Sequence, residues 1–158
     1  MNTNYAGFWI RFVAIIIDGI IISIVRAFLI IPFLAMLGIS FATGFENFDS
    51  NNMEDLMPLI ATIMAAAGAL MLISTIIWVL YGTLMEASKY QATVGKLAVG
   101  LVVTDMNGTK LDFSKSLVRN IGKLLSNFIM LIGYIMAAFT EKKQGLHDII
   151  AGTLVVKK

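Results

Sequence analysis

Arg11, Asp18 and Arg26 stand where a bilayer tolerates charge least. Residues 8 to 37, FWIRFVAIIIDGIIISIVRAFLIIPFLAML, are apolar for long enough to cross a membrane and still carry all three. A charged side chain near the bilayer centre costs roughly 2.5 to 3.5 kcal/mol even on the lenient insertion scale, so an acid at that depth needs a partner, a water-filled cavity or a proton. Arg11 and Asp18 lie about two turns apart on one helix face, roughly 10 Å along the axis, which is too far for a direct pair. Arg11 is near enough to the end of the run to snorkel to inner headgroups, where it would anchor the topology. Asp18 has no such exit and must meet another segment. Arg26 is two turns deeper and about 80° round the helix, placed either to face a bundle or to snorkel outward.

The rest of the chain offers fewer chemical groups. His147 is the only histidine and precedes Asp148, a pair that could shuttle protons. No nucleophile or second histidine supports hydrolysis or a metal site, and the absence of Cys excludes disulfides and thiolate chemistry. Gly95-Lys96 lacks the earlier Gly and the following Ser or Thr of a phosphate-binding loop, and no strand leads into it. A turn into an interfacial helix, with Lys96 on the headgroups, fits better. Glu86 closes the second apolar run and joins Arg26 and His147 as a supporting charge. No catalytic residue, cofactor or metal is expected, and the chain is read as a non-enzyme.

Composition bounds what these residues can belong to. Of the 158 residues 58% are hydrophobic and 14% charged, and mean hydropathy is +0.85. Soluble domains run about 45 to 50% apolar and about 25% charged, so this is an integral membrane protein. The length suits one domain of two or three spans. A net charge of +2 is too small to suggest nucleic acid, and the basic residues cluster beside apolar segments. No cleaved signal peptide is expected, because no Lys or Arg precedes the first run and the run exceeds an h-region of about 7 to 15 residues.

In chain order, the first span covers about residues 8 to 37, with Pro32 as a possible kink. Residues 40 to 57 hold Glu46, Asp49, Glu54 and Asp55 without Lys or Arg, and read as an exposed, non-cytoplasmic loop. The second span, about 58 to 85, opens at Pro58 and ends near Trp78, Tyr81 and Glu86. Within it Ala61, Ala65, Gly68 and Ala69 form a small-residue stripe suited to close helix approach. Met57, Met64, Met71, Trp78 and Met85 recur every seven residues and read as a lipid-facing or packing seam. Lys89, Lys96, Lys110, Lys115, Arg119 and Lys123 place the following region, and with it the N-terminus, on the cytoplasmic side. There Asn107-Gly108 predicts a hairpin, giving a small cytoplasmic β-element from about 98 to 104, 109 to 113 and 153 to 157. The third apolar stretch, about 120 to 140, has basic residues at both ends. A re-entrant or interfacial path broken at Gly133 is favoured over a full crossing. The fold class expected is therefore mainly α, a small polytopic helical bundle with a small β-element.

Gly7, Phe8, Trp9 and Arg11 open the first helix and Asp18 sits in its middle. Thr93-x-Gly95-Lys96 follows the second span, and Gly145-Leu-His-Asp148 with Gly152-Thr153-Leu-Val-Val156 closes the chain. In this order the motifs resemble the RDD family of integral membrane proteins, named for one Arg and two Asp, over nearly the whole chain. The resemblance puts the Arg at Arg11, the first Asp at Asp18 and the second at Asp148; Arg26 stands outside the signature. It implies a small multispan domain over residues 1 to 158, a role in transport of unidentified ligands, and sodium-proton antiport for some relatives.

The reading that follows is a membrane transport protein of the bacterial inner (cytoplasmic) membrane, with cation or proton exchange at a buried carboxylate. Arg11, Asp18 and Asp148 form its charge cluster, and a monovalent cation or a proton is its partner. Two or three spans enclose little space, so a homo-oligomer built on the small-residue stripe is expected. Asp18 should face protein or water, meeting the inner-leaflet segment or the Gly145 to Asp148 turn. The alternative is a non-transporting scaffold or accessory subunit whose buried charges pair with another membrane protein.

Overall fold

A computed structural model describes residues 4–44, 53–129 and 132–158. The elements are α1 (Phe8–Gly44), α2 (Met53–Ala87), α3 (Val94–Ala98), β1 (Leu101–Asp105), α4 (Phe113–Phe128), α5 (Ile132–Ile135), a 3-10 turn at Met136–Ala138, α6 (Leu146–Ala151) and β2 (Thr153–Lys157). The chain divides into two compact units, Met1–Ile21 with Trp78–Lys158, and Ile22–Ile77.

The Ile22–Ile77 unit consists of the distal part of α1 and most of α2. Its apolar residues point outward: Ile24, Phe28, Ile31, Met64, Met71 and Leu72 are each more than half exposed. A water-soluble protein does not carry such a surface, whereas hydrocarbon matches it. The apolar stretches Phe8–Ala35 and Leu56–Ala87 run for 28 and 32 residues. At about 1.5 Å per residue each exceeds a hydrocarbon core of about 30 Å. Within this unit Arg26 turns to α2, its Nη2 donating to the Ser74 carbonyl at 3.1 Å. Met57, Met64 and Met71 are exposed, as a lipid-facing seam requires, and so are Ala61, Ala65 and Gly68.

Both long helices outrun the apolar stretches that announced them. Residues 40 to 44 and 53 to 57, read as loop, are helical, and Pro58 lies inside α2 instead of opening it. Local polarity marks where hydrocarbon ends, but a backbone leaving the bilayer keeps its hydrogen bonds by continuing the helix. Glu46 and Asp49, and with them the heart of the expected acidic loop, lie outside the described residues.

In the larger unit β1 and β2 pair antiparallel, from Leu101 opposite Lys157 to Asp105 opposite Thr153. Tyr5 bridges Val156 on the other side of β2, and the Ala6 amide donates to the Val155 carbonyl at 2.9 Å. Ala6, Leu101, Val103, Leu111 and Val155 form a small core beneath these strands. Of the expected β-element, the strand at 153 to 157 is present and the one expected at 98 to 104 lies at Leu101–Asp105, because α3 runs to Ala98; the segment 109 to 113 is no strand. The Asp105 carboxylate accepts from the backbone N–H groups of Asn107 and Thr109 at 2.9 and 2.8 Å, closing a turn around Gly108. Leu111 then drops into the core, and Asp112 caps α4 by accepting from the Lys115 amide at 2.6 Å. An Asx turn and an N-cap compete with the hairpin and win.

Helix α4 has its polarity reversed relative to a soluble helix. Ser116, Arg119, Asn120, Lys123 and Ser126 face inward, whereas Val118, Ile121 and Leu125 are about half exposed. Such a helix suits an apolar surround. Helices α4 and α5 meet at 119°, the geometry of a broken or re-entrant membrane segment. Gly133, expected as the break, lies inside α5. Gly133 is a packing residue: a Cβ there would lie 2.5 Å from the Ser126 hydroxyl.

Candidate functional site

Arg119 is the centre of the larger unit. It is 1% exposed and spans two acids: Nη1 donates to Glu86 Oε1 at 2.6 Å, while Nε and Nη2 reach Asp148 Oδ1 at 2.8 Å. Both acids are fully buried. Glu86 also receives Lys96 Nζ on Oε1, Lys123 Nζ at 3.2 Å and the Asn120 amide on Oε2 at 3.1 Å. Asp148 receives Arg11 Nη1 on Oδ2, together with the Gly145 amide at 3.1 Å. Arg11 spends its remaining donors on backbone, with Nε to the Ala6 carbonyl at 3.0 Å and Nη2 to that of Lys143 at 2.6 Å. One continuous network therefore ties α1, α2, α3, α4 and α6 together. A buried ion pair repays its desolvation only when the remaining lone pairs and protons are also satisfied, and here nearly all are.

Asp18 is held differently. Its Oδ1 accepts from the Tyr81 hydroxyl at 2.9 Å and the Gly95 amide at 2.7 Å, and its Oδ2 from the Thr93 hydroxyl at 2.5 Å. Tyr81 in turn accepts from the Val94 amide at 3.0 Å. Every donor in this socket is neutral, and the ion pairs of the described residues go to Glu86, Asp148 and Asp105. The socket depends on Gly95. A Cβ at that position would lie 2.2 Å from the Ala14 carbonyl oxygen and 2.8 Å from Asp18 Cγ, so only glycine lets α3 approach α1 this closely. Gly82 does the same between α2 and α4, where a Cβ would meet the Asn120 side chain at 2.3 Å.

A cavity of about 400 Å³ opens between these groups. Its lining includes the polar Asp18, Lys96, Arg119, Asn120, Lys123 and His147 and the apolar Phe8, Phe12, Ile15, Ile135 and Ala137. The His147 ring packs 4.9 Å from that of Tyr134, with Nδ1 3.4 Å from the Ser126 hydroxyl. Burial pushes His147 down to about 3, so the imidazole is neutral at pH 7. Burial alone would raise Asp148, but Arg119 and Arg11 outweigh it and hold the carboxyl well below the usual range. Lys96 is lowered by burial, against the opposing pull of Glu86. Among the described residues no group of His, Asp and Glu has the makings of a metal site.

Of the residues singled out from sequence, Arg11 and Asp148 pair directly, with His147 and Glu86 in the same network. Asp18 lines the same cavity but meets neither the inner-leaflet segment nor the Gly145 to Asp148 turn; its partners come from the end of α2 and the turn into α3. Arg11 does not compete for Asp18 and does not snorkel, being 9% exposed. Lys96 is likewise buried on Glu86 and is no headgroup anchor, because an available buried acid outcompetes a solvated phosphate. Arg26 belongs to the other unit. Sequence reasoning missed Arg119, Lys123, Asn120, Tyr81 and Thr93. The available signal was the spacing of Ser116, Arg119, Asn120, Lys123 and Ser126, a polar stripe at helical period.

Membrane-length apolar helices, joined to a compact unit with a buried ion network, define a small helical integral membrane protein. The RDD family model matches residues 5–152, and the chain belongs to the RDD family. It is 40% identical over 153 residues to "Uncharacterized protein YxaI" of Bacillus subtilis (strain 168), covering 97% of each chain. It is 30% identical over 154 residues to "Uncharacterized membrane protein YteJ" of the same organism, covering 96% of this chain and 80% of that one. No solved structure matches.

Proposed function

We propose that this protein is a non-enzymatic transport protein of the bacterial inner membrane, N-terminus inside, that exchanges a proton or a small monovalent cation at Asp18. The observation that supports this reading is the contrast among the three acids. Glu86 and Asp148 are committed to Arg and Lys, whereas Asp18 lines the cavity and is held by neutral donors alone. No ion pair has to break for a proton or a cation to join Asp18. The Thr93 hydroxyl can rotate from donor to acceptor when Asp18 takes a proton, or offer its oxygen to a cation. Arg11 in this scheme fixes Asp148 and the end of α1. A full transport path calls for more than one copy, and the exposed Ala61, Ala65 and Gly68 stripe is the proposed contact.

The test is a flux screen on the purified full-length protein in liposomes, over Li⁺, Na⁺ and K⁺ at several pH values. Cation-dependent proton movement by the wild type, lost in Asp18→Asn, is expected. Absence of flux in the wild type would overturn the reading.

A further inference from the structure

The buried network does not balance. Arg11, Lys96, Arg119 and Lys123 bring four cations to it, against the carboxylates of Glu86, Asp148 and Asp18, and His147 is neutral. With all four protonated, one positive charge is left over in a low-dielectric setting, where an uncompensated ion is costly and tends to shed its proton unless an anion joins it. The surplus is best placed on Lys123. It makes the longest of the three cation contacts to Glu86, shares that oxygen with Lys96 and Arg119, and otherwise donates to Asn120 Oδ1 at 2.6 Å and lies over the face of Trp78 at 5.4 Å. Lys123 borders the cavity beside Asn127 and Tyr134, both able to donate hydrogen bonds. The same cavity continues onto Phe8, Phe12 and Ile15.

We propose that this cavity binds an amphiphile with a single-charge phosphate head, such as a phosphodiester lipid, its phosphate on Lys123 and Asn127 and its chain along Phe8, Phe12 and Ile15. A phosphodiester carries one negative charge, which matches the surplus. The apolar part of the lining would be wasted on a free anion, and the charged part on a neutral lipid. Asn127 is exposed and outside the ion pairs, so its replacement reads ligand charge without disturbing the fold.

The experiment is a titration of the detergent-solubilised full-length protein, followed by the emission of Trp78 in a Trp9→Phe background. The probes are dihexanoyl phosphatidylglycerol, dihexanoyl phosphatidylcholine and inorganic phosphate. Saturable binding of the phosphatidylglycerol is expected, weakened about tenfold in Lys123→Gln and in Asn127→Asp, and strengthened in Asn127→Lys. Equal binding of the phosphatidylcholine would overturn the charge match, and equal binding of inorganic phosphate would overturn the lipid. Unchanged affinity in Asn127→Asp would overturn the placement of the head even if Lys123→Gln proves unstable. None of these outcomes depends on ion flux, so this inference and the exchange at Asp18 fail separately.

Discussion

Asp18 and Asp148 are both carboxylates of the larger unit, and they are held in opposite ways. Asp148 lies under two guanidinium groups and is completely buried; Asp18 sits half-buried among two hydroxyls and an amide. The first arrangement fixes the charge, because protonating Asp148 would leave Arg11 and Arg119 short of an anion in a dry interior. The second arrangement fixes position with neutral donors and supplies no countercharge. The same kind of acid thus serves as a structural rivet in one place and, in the proposed scheme, as the exchange group in another, and the difference lies in the partners.

Breaking the rivet should have the largest effect. Arg119→Met removes three charge-assisted contacts from the middle of the network, leaving Glu86 to Lys96 and Lys123 and Asp148 to Arg11, and loss of about 3–5 kcal/mol is expected. Thermal melting in detergent measures it; a variant as stable as wild type would show that the network is not the core of the unit.

Next comes acid. His147 is pushed down to about 3 by burial, so between about 6.5, its ordinary value, and 3 the unfolded chain binds more protons than the folded one. Its stabilisation is complete above that window and falls as pH falls through it, by a few kcal/mol at the low end. Asp148, held below the usual carboxyl range, adds a further loss below about pH 4. Melting temperatures should therefore drop steadily from pH 6.5 to 4.5 in the wild type and much less in His147→Gln. Parallel slopes in the two proteins would place the acid sensitivity elsewhere.

Gly95→Ala should cost about 1–3 kcal/mol, as overpacking does, because the new Cβ meets the backbone of α1. It should also open the Asp18 socket, seen as faster exchange of the backbone amide at position 95. Asp18→Asn is expected to be mildest for stability, about 1 kcal/mol, since the amide oxygen still accepts from two of the three donors. A loss as large as that of Arg119→Met would erase the distinction between the two acids.

The comparison also explains what could be read from the residues alone. Arg11, Asp18 and Asp148 were visible through their motif and their cost in hydrocarbon, and hydropathy revealed the two long helices. The identity of each partner was not visible. Thr93 and Gly95 meet Asp18 across more than seventy residues of sequence, and no local period encodes such a contact. Arg119 and Lys123 looked like cytoplasmic markers, because a basic residue beside an apolar run obeys the positive-inside pattern whether it faces water or a buried acid. Only the reversed polarity of α4 separates the two cases. At residues 109 to 113 the Asn107-Gly108 signal was real, yet Asp105 and Asp112 turned it into a turn and a helix cap.

The central claim, that Asp18 and not Glu86 or Asp148 exchanges its charge, is tested most directly by comparing proton flux in liposomes for wild type, Asp18→Asn and Tyr81→Phe. The account predicts cation-driven flux in the wild type, none in Asp18→Asn, and retained flux with a displaced pH optimum in Tyr81→Phe, which keeps the acid and removes one donor. Flux undiminished in a folded Asp18→Asn protein would contradict it.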